Sequence, residues 1–189
     1  LVLREGEDMS RMPLQDLHKL VWTALLAALV AAGAYLVVPI GPVPVSMQGL
    51  FIALAGLVLG PWRGAACLLL YLAVGAAGLP VFAGGTSGLG VLMGPTAGYL
   101  YGFVGMAALA GLATGGTGRM ISLVRGFLFG VLGLGATYLG GLSWLVFSLE
   151  MTWTKALVAG FYPFILWDFL KIVGATACYR ILVRYSILR

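Results

Sequence analysis

Asp168 and Lys171 stand three residues apart in "YPFILWDFLKIVG" (162–174), a segment otherwise built of side chains suited to hydrocarbon. In a helix, that spacing puts both on one face. A carboxylate accepts two N–H donors and an ammonium donates to a carbonyl or carboxylate. With aromatic neighbours as apolar walls, the pair suits a small organic molecule with an amide-like head. Ionisable groups inside a membrane span are costly unless they face a cavity or a partner, so their default reading is functional. The alternative is an ion pair closed on itself, with Asp168 favoured by the helix N-terminus.

Other residues could complete such a site. In "PVPVSMQGL", Pro42 and Pro44 impose an extended approach, and Ser46, Met47 and Gln48 then open an apolar run. The Gln48 amide both donates and accepts, whereas Ser46 suits either ligand contact or a helix N-cap. Gly84, Gly85, Thr86, Ser87 and Gly88 form a glycine-rich stretch that serves either turns or close backbone approach to a ligand. Tyr35, Tyr99 and Trp167 are candidate aromatic walls, although Trp167 and the nearby Tyr162 equally fit a membrane-boundary belt. Ala24, Ala28 and Ala32, spaced by four with Gly33 beside them, make a small-residue face for close helix approach, within the bundle or against another membrane subunit.

The elements that must carry these residues follow from composition. The 189 residues are 61% hydrophobic and 9% charged, and the mean hydropathy is +1.06. Apolar runs near the length needed to cross ~30 Å of hydrocarbon recur along the chain. The expectation is an all-α integral membrane protein, a single membrane domain over 1–189. Its spans fall at about 20–38, 46–60, 64–79, 97–113, 121–147 and 164–185, after a cytoplasmic segment at 1–19. The fifth span is long and glycine-rich, so part of it is expected outside the bilayer. The first is read as a retained helix: four acids against three bases precede it, unlike a cleaved signal.

Basic residues set the orientation. One side holds Arg4, Arg11, Lys19, Arg63, Arg119, Arg125, Arg180, Arg184 and Arg189, and the other only Lys155. Both termini are therefore expected in the cytoplasm. The outer segments 39–47 and 79–96 carry no charge at all. The second is too rich in glycine for a stable helix and too apolar for a solvated loop. It is expected to fold over the outer mouth of the bundle, because irregular backbone at membrane depth must be buried or line a cavity. Residues 153–185 as one helix would run ~50 Å, so Pro163 should break it. Asp168 and Lys171 then lie in the outer two turns of the last span, facing the same region as the glycine-rich loop.

Several chemistries drop out. The net charge of +5 is scattered singly between apolar runs, without a nucleic-acid patch. No GxxxxGK[ST] phosphate loop is present, so the chain is not its own P-loop ATPase. The sole histidine, His18, is expected ahead of the first span, and no HExxH or Ser–His arrangement lies in the spans. Neither catalytic nor metal-ligating residues are assigned. Cys67 and Cys178 read as small buried apolar residues.

The runs "GPVPVSMQGLFIALAGLVLGPWRGA", "YLAVGAAGLPVFAGGTSGLGVLMGPTAGYLYGF" and "ALVAGFYPFILWDFLKI" resemble the BioY family, the substrate-binding S-components of energy-coupling-factor biotin transporters. They cover well over a third of the chain. The resemblance implies a six-helix subunit in a prokaryotic inner membrane. It captures biotin from outside and docks on a membrane coupling subunit driven by two cytoplasmic ATPases, with no cofactor. It also implies that Asp168, Lys171, Gln48, Ser46 and the loop Gly84 to Gly88 hold the ligand, and that Ala24, Ala28 and Ala32 form the docking surface. Two departures stand out. "PFILWD" replaces the family's usual P-F-[IL]-P-G-D, so Trp167 stands for a glycine and should reshape the entry to the last span, and "GPTAGY" replaces G-P-T-G-G-Y.

Competing expectations are an S-component for thiamine or riboflavin, a self-sufficient carrier, and a structural subunit in which Asp168 and Lys171 only pair. Which end of biotin would meet Lys171 is open at this stage, because an ammonium suits the ureido oxygen and the valerate carboxylate equally.

Overall fold

The structure, a computed structural model, describes residues 14–38, 43 and 45–188. The expectations at Arg4, Arg11, Pro42, Pro44 and Arg189 lie outside the described residues. Eight helices account for most of the described chain: α1 (Leu14–Tyr35), α2 (Gln48–Leu59), α3 (Pro61–Ala76), α4 (Leu89–Met93), α5 (Ala97–Gly111), α6 (Leu123–Ser148), α7 (Trp153–Gly160) and α8 (Ile165–Arg184). Each of the six expected spans has its helix. By length and apolarity, α1 and α6 suffice to cross a membrane, as does the α7–α8 pair if counted as one span. The apolar helices α2, α3 and α5 are shorter.

Four features differ from expectation. Helix α1 begins at Leu14, so Lys19 and His18 lie within it, and His18 Nε2 accepts from Trp22 Nε1 at 3.2 Å one turn on. The same helix stops at Tyr35, and the chain continues into an antiparallel two-residue ladder, β1 (Val37–Val38) with β2 (Val45–Ser46). Pro39 disfavours helical geometry at Val38, and Val37 and Val38 pair with Ser46 and Val45, so the chain has left the helix before them. The glycine-rich segment holds one short helix, α4, which the sequence did not suggest. Cys67 is buried as expected, but Cys178 is exposed on α8.

The tight connection between α2 and α3 turns on Gly60, with φ of 81° and ψ of 179°. A Cβ there would come within 2.8 Å of the Gly116 nitrogen, so both conformation and space require glycine. Pro61 then occupies the first turn of α3, where its missing N–H costs nothing. Helix α6 is unbroken over 26 residues, and the Ser122 hydroxyl caps it by accepting from the Arg125 amide at 3.1 Å. Between α7 and α8 the chain bends by 50° across the break that contains Pro163.

Helices α5 and α6 meet almost backbone to backbone. A Cβ on Gly98 would lie 2.3 Å from the Gly140 carbonyl oxygen, and one on Gly102 would lie 2.6 Å from Thr137 Cα. Without a hydrophobic driving force in lipid, such small-residue faces are what lets helices pack. The contact fixes Tyr99 of α5 beside Tyr138 of α6, their rings edge-on with centroids 6.5 Å apart. Both tyrosines are buried and line the cavity described next.

Candidate functional site

Helices α2, α5, α6 and α8 and the 77–96 segment enclose a cavity of about 320 Å³, within the roughly 300–1,000 Å³ typical of small-molecule sites. Its walls are chiefly apolar, with Phe82, Phe103, Met106, Leu134 and Phe164 prominent among them. Polar groups cluster at the start of α8. Lys171 Nζ donates to Asp168 Oδ1 at 2.7 Å, and the Tyr138 hydroxyl donates to Asp168 Oδ2. Their side chains are only 9% (Lys171) and 16% (Asp168) exposed. One turn of helix separates the pair, so a single face presents a carboxylate held from two sides and an ammonium with N–H donors to spare. Gly49 of α2 faces the pair: a Cβ there would sit in ordinary contact, 3.5 Å from Lys171 Cδ.

A second polar chain begins at the mouth of α2. The Ser46 hydroxyl donates to Gln48 Oε1 at 3.1 Å, Gln48 Nε2 donates to the Tyr71 hydroxyl at 2.8 Å, and that hydroxyl donates to the Val81 carbonyl at 2.9 Å. Gln48 is 2% exposed, so its amide is held in one orientation by partners on both sides. Ser46 is not the N-cap of α2: Met47 occupies that position without a side-chain cap. The Ser46 backbone belongs to β2, and its hydroxyl is engaged by Gln48.

The 77–96 segment closes one side of the cavity and is strapped down through its carbonyls. Donors come from four helices: Tyr35 of α1 to Pro80, Tyr71 of α3 to Val81, Tyr101 of α5 to Leu92 at 2.6 Å, and Trp144 of α6 to Gly94 at 2.8 Å. Phe82 lies edge-on to Tyr71 with centroids 5.6 Å apart and covers Gly75, where a Cβ would meet its ring at 2.1 Å. A 3₁₀ turn at Ala83–Gly85 follows, in which Gly84 and Gly85 take positive φ. Glycine serves the turn there.

Of the sequence candidates, the structure brings Asp168, Lys171, Gln48, Ser46, Thr86 and Tyr99 together on the cavity wall. Tyr99 donates to the Gly160 carbonyl at 2.9 Å, which ties α5 to the end of α7. Gly84, Gly85, Ser87 and Gly88 lie in the covering segment without forming the wall, and Tyr35 straps that segment from outside. Trp167 points away and is 58% exposed, because one residue's step turns it about 100° from Asp168. Tyr162 is likewise exposed. Ala24, Ala28 and Ala32 are exposed along α1, opposite the buried Leu26, Val30 and Ala34.

Sequence reasoning missed Tyr138 and Tyr71. Each is a hydroxyl in an apolar helix, and a phenol withdrawn from water needs a hydrogen-bond partner. That requirement was the available signal, but the partners sit on other helices. Among the described residues, no buried side-chain nitrogen or oxygen lacks a hydrogen bond. The site is therefore pre-organised around a neutral ion pair, suited to a ligand with both N–H donors and a carbonyl.

Comparison with known proteins points the same way. The model of the BioY family matches residues 8–187. The chain is 42% identical over 154 residues to a probable biotin transporter BioY of Pyrococcus horikoshii, covering 82% of this chain and 88% of that one. It is 38% identical over 159 residues to the biotin transporter BioY of Thermotoga maritima, covering 84% and 92%. Among solved structures it resembles the S-component for biotin from an ECF-type ABC transporter, with a TM-score of 0.84 and 26% identity, covering 93% of this chain and 95% of that one.

Proposed function

The chain belongs to the BioY family, and from that premise we propose that it is a membrane subunit that binds biotin from the outer side and mediates its uptake with an ATP-driven coupling module. It is a transporter component and not an enzyme. One observation carries the ligand reading: the buried Asp168–Lys171 pair, held by Tyr138, on the wall of an otherwise apolar cavity. Biotin offers two ureido N–H groups and one ureido oxygen on an apolar bicycle. Asp168 accepts, while Lys171 and Gln48 donate.

Charge supports placing the ureido head, and not the carboxylate, at this pair. Lys171 is already neutralised by Asp168 at 2.7 Å. A second carboxylate brought there would meet Asp168 as a like charge, whereas a neutral urea meets a neutral dipole. The relatives named above are biotin transporters, which disfavours thiamine or riboflavin as the cargo.

In this reading the whole of 1–189 is one membrane domain in a prokaryotic inner membrane. Six spans, α1, α2, α3, α5, α6 and α8, place both termini and the 1–19 segment in the cytoplasm. The nine-to-one distribution of basic residues supports that orientation. The 77–96 segment then covers the cavity from outside. The exposed stripe of Ala24, Ala28 and Ala32 would dock on a coupling subunit that works with two cytoplasmic ATPases.

Titration of purified protein with biotin, thiamine and riboflavin tests the ligand assignment. Biotin should bind alone and tightly, and a well-folded protein that fails to bind it would overturn the reading. Co-purification with a coupling subunit and ATPases from cells expressing all components tests the assembly.

A further inference from the structure

We infer that the carboxylate end of the ligand meets no cation in this protein, so that biotin derivatives with a neutral amide or alcohol in its place bind almost as well as biotin. The inference rests on the assignment of the ureido head to Asp168 and Lys171. Among the described residues lining the cavity, Lys171 is the only cation and Asp168 the only anion, and each is the other's counter-charge.

Among the described residues, the elements that line the cavity bring no third charge to its wall. Residues 39–47 and 79–96 hold no Asp, Glu, Lys, Arg or His. Neither do α2, α5 or α6 beyond Arg125, α8 carries no other charge until Arg180, and Lys155 of α7 is exposed and lies off the cavity wall. The hydroxyls of Ser46, Thr86 and Thr96 on the wall are neutral, and two are already donating: Ser46 to Gln48 Oε1 and Thr86 to the Ala83 carbonyl, each at 3.1 Å. Thr86 is itself exposed and marks the mouth of the cavity.

A carboxylate withdrawn from water without a cation is strongly disfavoured, so the acid must stay at this wet mouth. A hydroxyl whose proton is engaged can only accept and offers a carboxylate no donor, and water serves acid, amide and alcohol alike, so neither favours the acid. Selection is confined to the ureido end, and the side chain is read chiefly by length and apolar fit.

The test is titration of the purified protein with biotin, biotinamide and biotinol under identical conditions. Dissociation constants for the amide and the alcohol within tenfold of that for biotin are expected. A loss of more than tenfold for both, with biotin still tightly bound, would overturn this inference and leave the proposed function standing, since it would reveal a cation at the acid. Failure of all three to bind folded protein would overturn the proposed function and this inference with it.

Discussion

The Tyr138 hydroxyl on α6 donates to Asp168 Oδ2 on α8, on the opposite oxygen from the one that Lys171 engages. The carboxylate is thus fixed in rotation by two donors on different helices, so its remaining lone pairs point into the cavity without having to be ordered by ligand. Pre-organisation of this kind lowers the entropic cost of binding.

Tyr138→Phe removes one of those donors while keeping the ring that packs against Phe161, with centroids 4.8 Å apart. The fold should persist and biotin affinity should fall by about one to two decades, as for a hydrogen bond to a charged group worth roughly 1.5–3 kcal/mol. Calorimetric titration measures it. Unchanged affinity would mean that the orientation of Asp168 does not matter to the ligand.

Asp168→Asn and Lys171→Met should each weaken biotin binding by about one to two decades. Their stabilities should behave differently. Removing one partner leaves the other charge buried, whereas removing both leaves none, so the double variant should melt above at least one of the singles. A thermal double-mutant cycle reads this coupling. Additive losses would show that the two charges do not compensate one another.

Much of this architecture was legible from single residues. Pro163 announced the bend between α7 and α8, and the lone acid and lysine after it announced the polar pair on the cavity wall, because hydrocarbon makes both kinds of residue conspicuous. The charge-free stretch 79–96 announced a covering segment. Tyr138 and Tyr71 were not legible, since their importance lies in partners 30 and 10 residues away in sequence that only the packing supplies. Trp167 shows the converse: adjacency to Asp168 in sequence is a turn of about 100° in space. The two-residue ladder was hidden because its pairing is too short to leave a periodic pattern.

Gly141→Ala tests how α6 positions Tyr99. An added Cβ would come within 2.4 Å of the Tyr99 ring, which is itself anchored to Gly160. The ring must move or the helices must part, at a cost of about 1–3 kcal/mol typical of overpacking. A lower melting temperature is expected together with weaker biotin binding. Gly135→Ala, whose Cβ would meet nothing within 4 Å, should leave both unchanged.

Tyr71→Phe should loosen the covering segment. It strips the Val81 carbonyl of its donor and the Gln48 amide of its acceptor, both in a dry environment. Unsatisfied buried groups of this kind cost roughly 1–3 kcal/mol. Because Tyr71 joins a wall residue to the segment that closes the cavity, the loss should appear mainly as faster biotin release. Stopped-flow displacement would detect it, and an unchanged off-rate alongside reduced stability would assign Tyr71 to the fold alone.

Ala28→Leu separates ligand capture from assembly. Ala28 is exposed in the middle of the α1 stripe, on the face opposite Leu26 and Val30, and it does not line the cavity. Leucine is nearly as good a helix former as alanine, so the helix itself should be indifferent. A helix docking through Ala24, Ala28 and Ala32, however, needs close backbone approach, and a branched side chain at the centre would hold the partner away. The purified variant should bind biotin with an unchanged dissociation constant, yet recover far less coupling subunit and ATPase on affinity purification from cells that express all components. Equal recovery would place the docking surface elsewhere on the bundle. Weakened biotin binding would instead tie α1 to the cavity, through the hydroxyl that Tyr35 extends to the Pro80 carbonyl.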